Sequence, residues 1–203
     1  QFVEGISIPI KPEHQAHLLI EVDGNYPEIL MQEAEKILAV VEQFEIDEVL
    51  FADTEDEKNA LWKMRRSVAE AVKSNSVYKE EDTVVPRFML PELLSGIKKI
   101  GAKYGFKSVC YGHAGDGNLH VNIVKQDMTD EAWKTEVPKG IVEIFELTKS
   151  LKGTISGEHG IGYVQREFMP IVFSSMELEL MKGIKKIFDP KGILNPGKIF
   201  PSK

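Results

Sequence analysis

The sequence predicts an α+β fold: an antiparallel sheet with helices on one face, close to a split βαβ or ferredoxin-like plan, followed by a C-terminal helical segment and tail. Three observations carry this. Runs rich in strand formers alternate with runs of helical period. Two strand-like runs, residues 108–111 and 119–124, are joined only by Gly112-His113-Ala114-Gly115-Asp116-Gly117-Asn118, a hairpin connection that parallel neighbours cannot use. No long polar linker divides the 203 residues, a length that suits one core.

The elements follow in order. Residues 16–22 read as a buried strand stopped by the turn Asp23-Gly24-Asn25. Pro27 opens a helix with Leu30, Ala34, Ile37, Leu38 and Val41 on one stripe. Residues 48–52 read as a second strand. A helix over 54–73 follows, capped by Asp53 or Thr54, with Leu61, Met64, Val68 and Val72 on its apolar face. Thr83-Val84-Val85 is extended and ended by Pro86. Residues 91–104 are helical and stopped by Gly105. After the hairpin, a helix over 130–151 is expected to break at Pro138, and a last one over 175–188 ends at Asp189-Pro190.

Composition narrows the function. A net charge of -7 speaks against broad phosphate-backbone contact, so no nucleic acid is expected. No apolar run reaches the roughly eighteen residues of a membrane span. Cys110 is the single cysteine, which precludes an internal disulfide and favours a reducing, cytoplasmic setting. The chain opens at Gln1 and passes at once into Ile6-Ser7-Ile8 and Leu18-Leu19-Ile20, which suggests a piece of a longer protein.

Chemistry concentrates in two glycine-rich segments. His113 and His120 flank the hairpin turn, so pairing of the two strands brings their imidazoles together, and neutral imidazole is a common metal ligand. Ser156-Gly157-Glu158-His159-Gly160 sets a carboxylate beside an imidazole. Seven of the sixteen glycines fall in residues 112–117 and 153–162, more than turns alone require. Two imidazoles and the Glu158 carboxylate would hold zinc or manganese with positions left open, and His159 would be placed as a general base. Neither segment has the order of a phosphate-binding loop. His14 and His17 lie outside both and read as surface residues; Cys110 reads as a small buried strand residue with a minor chance of ligation.

These segments resemble the C-terminal domain of FAD-linked oxidases, the family of glycolate oxidase flavoprotein subunits, D-lactate dehydrogenases and D-2-hydroxyglutarate dehydrogenases. The resemblance extends to Leu61-Trp62-Lys63-Met64-Arg65, to Glu81-Asp82-Thr83-Val84-Val85-Pro86 and to residues 188–198. It implies that the whole of residues 1–203 is a substrate- and metal-binding cap domain whose FAD-binding domain lies elsewhere, in another region or subunit, with an electron-acceptor protein as a further partner. It implies metal ligation by His113, His120 and Glu158, a substrate-contacting base at His159, a carboxylate partner in Arg65, a polar substrate contact in Asn122, and a cofactor contact at Asn195 in the tail. The substrate would be a 2-hydroxy acid oxidised to the 2-oxo acid. Members specific for dicarboxylates place a lysine just ahead of the Asp-x-x-x-Pro segment and a hydroxyl residue one turn after the arginine. Lys79 is one residue out of register and Ala69 is apolar, so glycolate or D-lactate is favoured over 2-hydroxyglutarate. Two other readings use the same residues: a free-standing metallohydrolase, and an interaction module in which the glycine loops are only turns.

Overall fold

The computed structural model describes residues 14–47 and 49–202. Its internal contacts separate two units, residues 1–71 and 72–203.

In the first unit, Pro27 starts α1 (Pro27–Val41), its fixed φ suited to a position whose N–H needs no partner. The helix α2 (Glu55–Asn75) begins here behind a reciprocal cap. Thr54 Oγ1 accepts the Glu57 N–H at 3.3 Å, and the Glu57 carboxylate accepts the Thr54 N–H at 3.0 Å. The strands expected at 16–22 and 48–52 are corrected by the structure: among the described residues neither pairs into a sheet. Strand formers alone do not make a ladder without a neighbouring edge, and Leu18 and Phe51 are 69% and 62% exposed rather than buried. Side chains tie the segment instead, with Trp62 Nε1 donating to Glu21 at 3.1 Å and His14 bonded to Asp47 at 2.8 Å. Ile6-Ser7-Ile8 and Glu48 lie outside the described residues.

The second unit holds the sheet. Strands β1 (Tyr78–Val84), β2 (Lys107–His113) and β3 (Asn118–Val124) lie in the order β1-β3-β2, with β3 antiparallel to both neighbours. Joined through α3 (Leu90–Tyr104), β1 and β2 are therefore parallel to each other with β3 between them, which is a split βαβ unit. A ferredoxin-like sheet needs a fourth strand beside β1; among the described residues only the isolated bridge Val84–Thr154 occupies that edge.

One sheet face is apolar. Leu119, Val121 and Ile123 alternate along β3 and pack against Leu93 and Ile97 of α3 and Val137, Ile141 and Phe145 of α4 (Asp130–Ser150). Gly105 ends α3 in the left-handed conformation, as expected. Pro138, however, does not break α4, which runs unbroken past it. The buried residues that follow it in the same helix stabilise continuity by more than the one lost hydrogen bond. A short α5 (Met169–Val172) leads into α6 (Ser175–Phe188), where Ser174 and Glu177 form a capping box.

The covered face also holds one acid. Glu81 is 4% exposed, and its carboxylate accepts a hydrogen bond from Gln165 Nε2 at 2.9 Å. Burial pushes this carboxyl up to about 7, against the opposing pull of Gln165 and Lys79. The folded value lies above the unfolded one, so the native state favours the proton. Its stability contribution is complete below about pH 4.5 and is lost as pH rises through about 7, a difference on the order of 3 kcal/mol. Urea unfolding at pH 5 and pH 8 should show that loss in the parent chain and a smaller one in Glu81→Gln; identical pH dependence would exclude the assignment.

Candidate metal centre

The opposite sheet face is polar, and strand register fixes its occupants. Asp82 of β1, His120 of β3 and Tyr111 of β2 form one cross-strand row. Glu80 pairs with Asn122, and His113 with Asn118, in the rows on either side. A period of two puts all of these opposite the apolar set of Leu119, Val121 and Ile123.

Asp82 has no solvent exposure. One of its oxygens, Oδ2, accepts the backbone N–H groups of Gly157 at 2.8 Å, Glu158 at 2.7 Å and His159 at 2.9 Å. The other, Oδ1, accepts from Asn118 Nδ2 at 2.6 Å. Burial alone would push this carboxyl up. The His159 and Glu158 amides, the Asn118 side chain and the charge of the His159 ring hold it below the usual carboxylate range instead. Three consecutive N–H groups converging on one oxygen form an anion nest, filled here by the chain's own side chain. Ser156 Oγ closes the loop by accepting the Gly160 N–H at 2.8 Å. Gly157 is required for close approach, because a Cβ there would run into the Asn118 amide.

The nest turns Glu158 back over the sheet. Its carboxylate lies 3.8 Å from His113 Nε2 and 3.9 Å from His120 Nε2, and one ligand atom from each of the three residues lies within 4.8 Å of the others. Donors around a tetrahedral zinc at its normal bond lengths stand about 3.3–3.6 Å apart, so side-chain closure of up to about an ångström completes such a set. Burial of the His120 ring, outweighing the pull of Asp82, lowers its pKa and favours the neutral form that ligates. Its Nδ1 faces Asp82 Oδ1 at 3.7 Å and has no hydrogen-bond partner among the described residues. With the proton on Nδ1, toward the carboxylate, the Nε2 lone pair is left toward Glu158, the orientation typical of a carboxylate-supported metal ligand.

His159 stacks on His120, with ring centroids 4.9 Å apart and planes 15° from parallel. A second set, Glu80, His120 and His159, also has ligand atoms within 4.8 Å of one another. Asn122 is fully buried on the same face, and among the described residues neither its amide nitrogen nor its oxygen has a hydrogen-bond partner. A buried amide with both ends unmet is costly, and it is a feature of sites that complete their bonding with a ligand.

The structure thus brings His113, His120, Asn122, Glu158 and His159 to one sheet face. Arg65 is carried by α2 in the other unit. Asn195 lies in the tail with φ 45°, its side-chain oxygen accepting from Lys198 Nζ at 3.0 Å. Cys110 alternates onto the apolar face, and burial pushes its thiol up to about 11, so it is no ligand of this cluster. Sequence reasoning missed the roles of Asp82, Asn118 and Glu80. The available signal was a run of three acids inside a strand, where Asp and Glu are disfavoured.

Fold and cluster together define an α+β domain whose polar sheet face carries imidazoles and a carboxylate at metal-ligating spacing. The chain belongs to the family of FAD-linked oxidase C-terminal domains, which it matches over residues 3–199. It is 38% identical over 189 residues to glycolate oxidase subunit GlcD of Bacillus subtilis, covering 92% of this chain and 39% of that protein. It is 36% identical over 185 residues to a D-lactate dehydrogenase of Anaerostipes hadrus, covering 91% of this chain and 39% of the relative. A D-2-hydroxyglutarate dehydrogenase of Stutzerimonas stutzeri is 33% identical over 198 residues, covering 96% and 42%. The chain therefore spans about two fifths of the length of these relatives.

Replacing Asp82 by Asn removes the charge that three amides share and sets a donor against them. The amide protons of residues 157–159 should then exchange at least about tenfold faster in hydrogen-exchange mass spectrometry. Unchanged protection of that segment would show that the loop is held by something else.

Proposed function

We propose that this chain is the substrate- and metal-binding part of an FAD-dependent 2-hydroxyacid dehydrogenase, oxidising glycolate, D-lactate or a similar D-2-hydroxy acid to the 2-oxo acid. The observation that carries it is the convergence of His113, His120 and Glu158, with His159 stacked alongside, in a member of the FAD-linked oxidase family.

His113, His120 and Glu158 would hold a divalent ion, zinc or manganese, with two imidazole nitrogens and one carboxylate oxygen. This borderline donor set suits either metal and leaves positions open. Such an ion supplies Lewis acidity that lowers the pKa of a substrate hydroxyl. His159 would take the hydroxyl proton on its imidazole, next to the ligand cluster rather than in it. Asn122 would complete its unmet hydrogen bonds on the substrate. Arg65 would pair with the substrate carboxylate through its planar fork. FAD supplies the two-electron acceptor that no side chain of this chain can provide.

The reading also requires an FAD-binding domain or subunit, with Asn195 in contact with the cofactor. An apolar ridge supports such a partner: Met176, Leu180, Ile184, Ile187 and Phe188 follow one face of α6 and are all exposed. An electron-acceptor protein would reoxidise the flavin. Among the described residues no helix is long and apolar enough to cross a membrane; the cytoplasmic location expected from the lone cysteine remains part of the proposal. A metallohydrolase could employ the same three ligands, but membership of a flavin-linked oxidase family favours the redox reading.

Elemental analysis after zinc or manganese loading and dialysis should find about one ion per chain, and a large loss of it in His113→Ala and in His120→Ala. In the full-length flavoprotein, chelation should abolish hydroxyacid oxidation and metal return should restore it. Full activity in the metal-free protein contradicts the proposal.

A further inference from the structure

One charged side chain on the site face has no role in the reading above. Glu80 stands two residues ahead of Asp82 on β1, so strand alternation turns it to the same face, where it pairs in register with Asn122. Its carboxylate shares a 4.8 Å neighbourhood with His120 and His159, the ligand and the base. The neighbouring cation is already engaged: Lys73 Nζ lies 3.6 Å from Glu80 Oε2. Of the two side chains, Glu80 is the more enclosed, 20% exposed against 46% for Lys73. Lys79 belongs to the opposite set of the same strand, with Glu81, and brings no positive charge to this face.

We propose that Glu80 fixes the charge class of the substrate's side chain, excluding 2-hydroxy acids that carry a second carboxylate and admitting those whose side chain is uncharged. The inference rests on the reading that His113, His120 and Glu158 hold an ion that takes a 2-hydroxy acid. A hydroxyl placed for His159 puts the substrate's Cα substituent beside the imidazoles that Glu80 adjoins. A short uncharged substituent meets no opposing charge there. A second carboxylate within about 6 Å of Glu80 meets a like charge in a partly desolvated site, which disfavours binding by about tenfold or more. Lys73 cannot fully receive that carboxylate while it serves Glu80. The charge already gathered on this face points the same way, because Asp82 and Glu158 are acids too and a divalent ion offsets about two of the three negative charges.

The test is the ratio of kcat/KM for D-lactate to that for D-2-hydroxyglutarate, measured in the full-length flavoprotein with its metal content checked. The parent enzyme should favour D-lactate. Glu80→Gln, of the same shape without the charge, should lower the ratio at least about tenfold, mainly through the KM of the dicarboxylate. Lys73→Met leaves Glu80 without its counter-ion and should move the ratio the other way. If D-lactate is oxidised but the Glu80→Gln ratio equals that of the parent, the role of Glu80 is overturned and the hydroxyacid reading stands. If the metal-loaded parent oxidises none of glycolate, D-lactate and D-2-hydroxyglutarate, the hydroxyacid reading fails and the inference falls with it.

Discussion

The buried carboxylate of Asp82 is the constraint on which the site depends. An ionised carboxylate without solvent is strongly disfavoured unless its oxygens are met by donors. Here the donors are three successive backbone amides and the Asn118 side chain. The loop after α4 must therefore fold over β1, and it can do so only with glycine at 157. Glu158 and His159 follow from this, because their own N–H groups make the bonds that fix them. Cross-strand register then sets Asp82 opposite His120. One side chain thus organises the loop that brings the carboxylate and flanks the strand that brings the imidazole.

The two sheet faces divide the work of stability and chemistry. Leu119, Val121 and Ile123 bury one face under α3 and α4 and supply the core. Among the described residues the other face leaves polar atoms unmet, including His120 Nδ1 and both ends of the Asn122 amide. Each unmet buried polar atom costs on the order of 1–3 kcal/mol. Their concentration on one face is what a ligand site requires and what a purely structural sheet avoids. The glycines of the hairpin serve the same face. Gly117 takes a left-handed φ of 72°, which lets the turn reverse tightly enough for His113 and His120 to face each other across it.

Much of this was legible in the sequence, for local reasons. The α+β class, the hairpin, the three long helices of the second unit and the His113, His120, Glu158 and His159 cluster follow from period, turn residues and motif spacing. The strands expected at 16–22 and 48–52 did not, since a strand exists only through a partner that composition does not name. Pro138 misled because helix-breaking is a local cost, whereas the burial of Val137, Ile141, Ile144 and Phe145 around it is not. Asp82 escaped notice because its three amide partners lie more than seventy residues away along the chain. Nothing in the Glu81-Asp82-Thr83 run tells which acid faces the core and which faces the site until the register of β1 on β3 is known.

The central claim is that this geometry makes a two-imidazole, one-carboxylate metal site, and X-ray absorption at the zinc edge of the zinc-loaded protein tests it most directly. The account predicts a first shell of nitrogen and oxygen at about 2.0–2.1 Å, with the outer-shell scattering of two imidazole rings. A sulfur at about 2.3 Å, which would bring in Cys110, or an all-oxygen shell without imidazole, would contradict it.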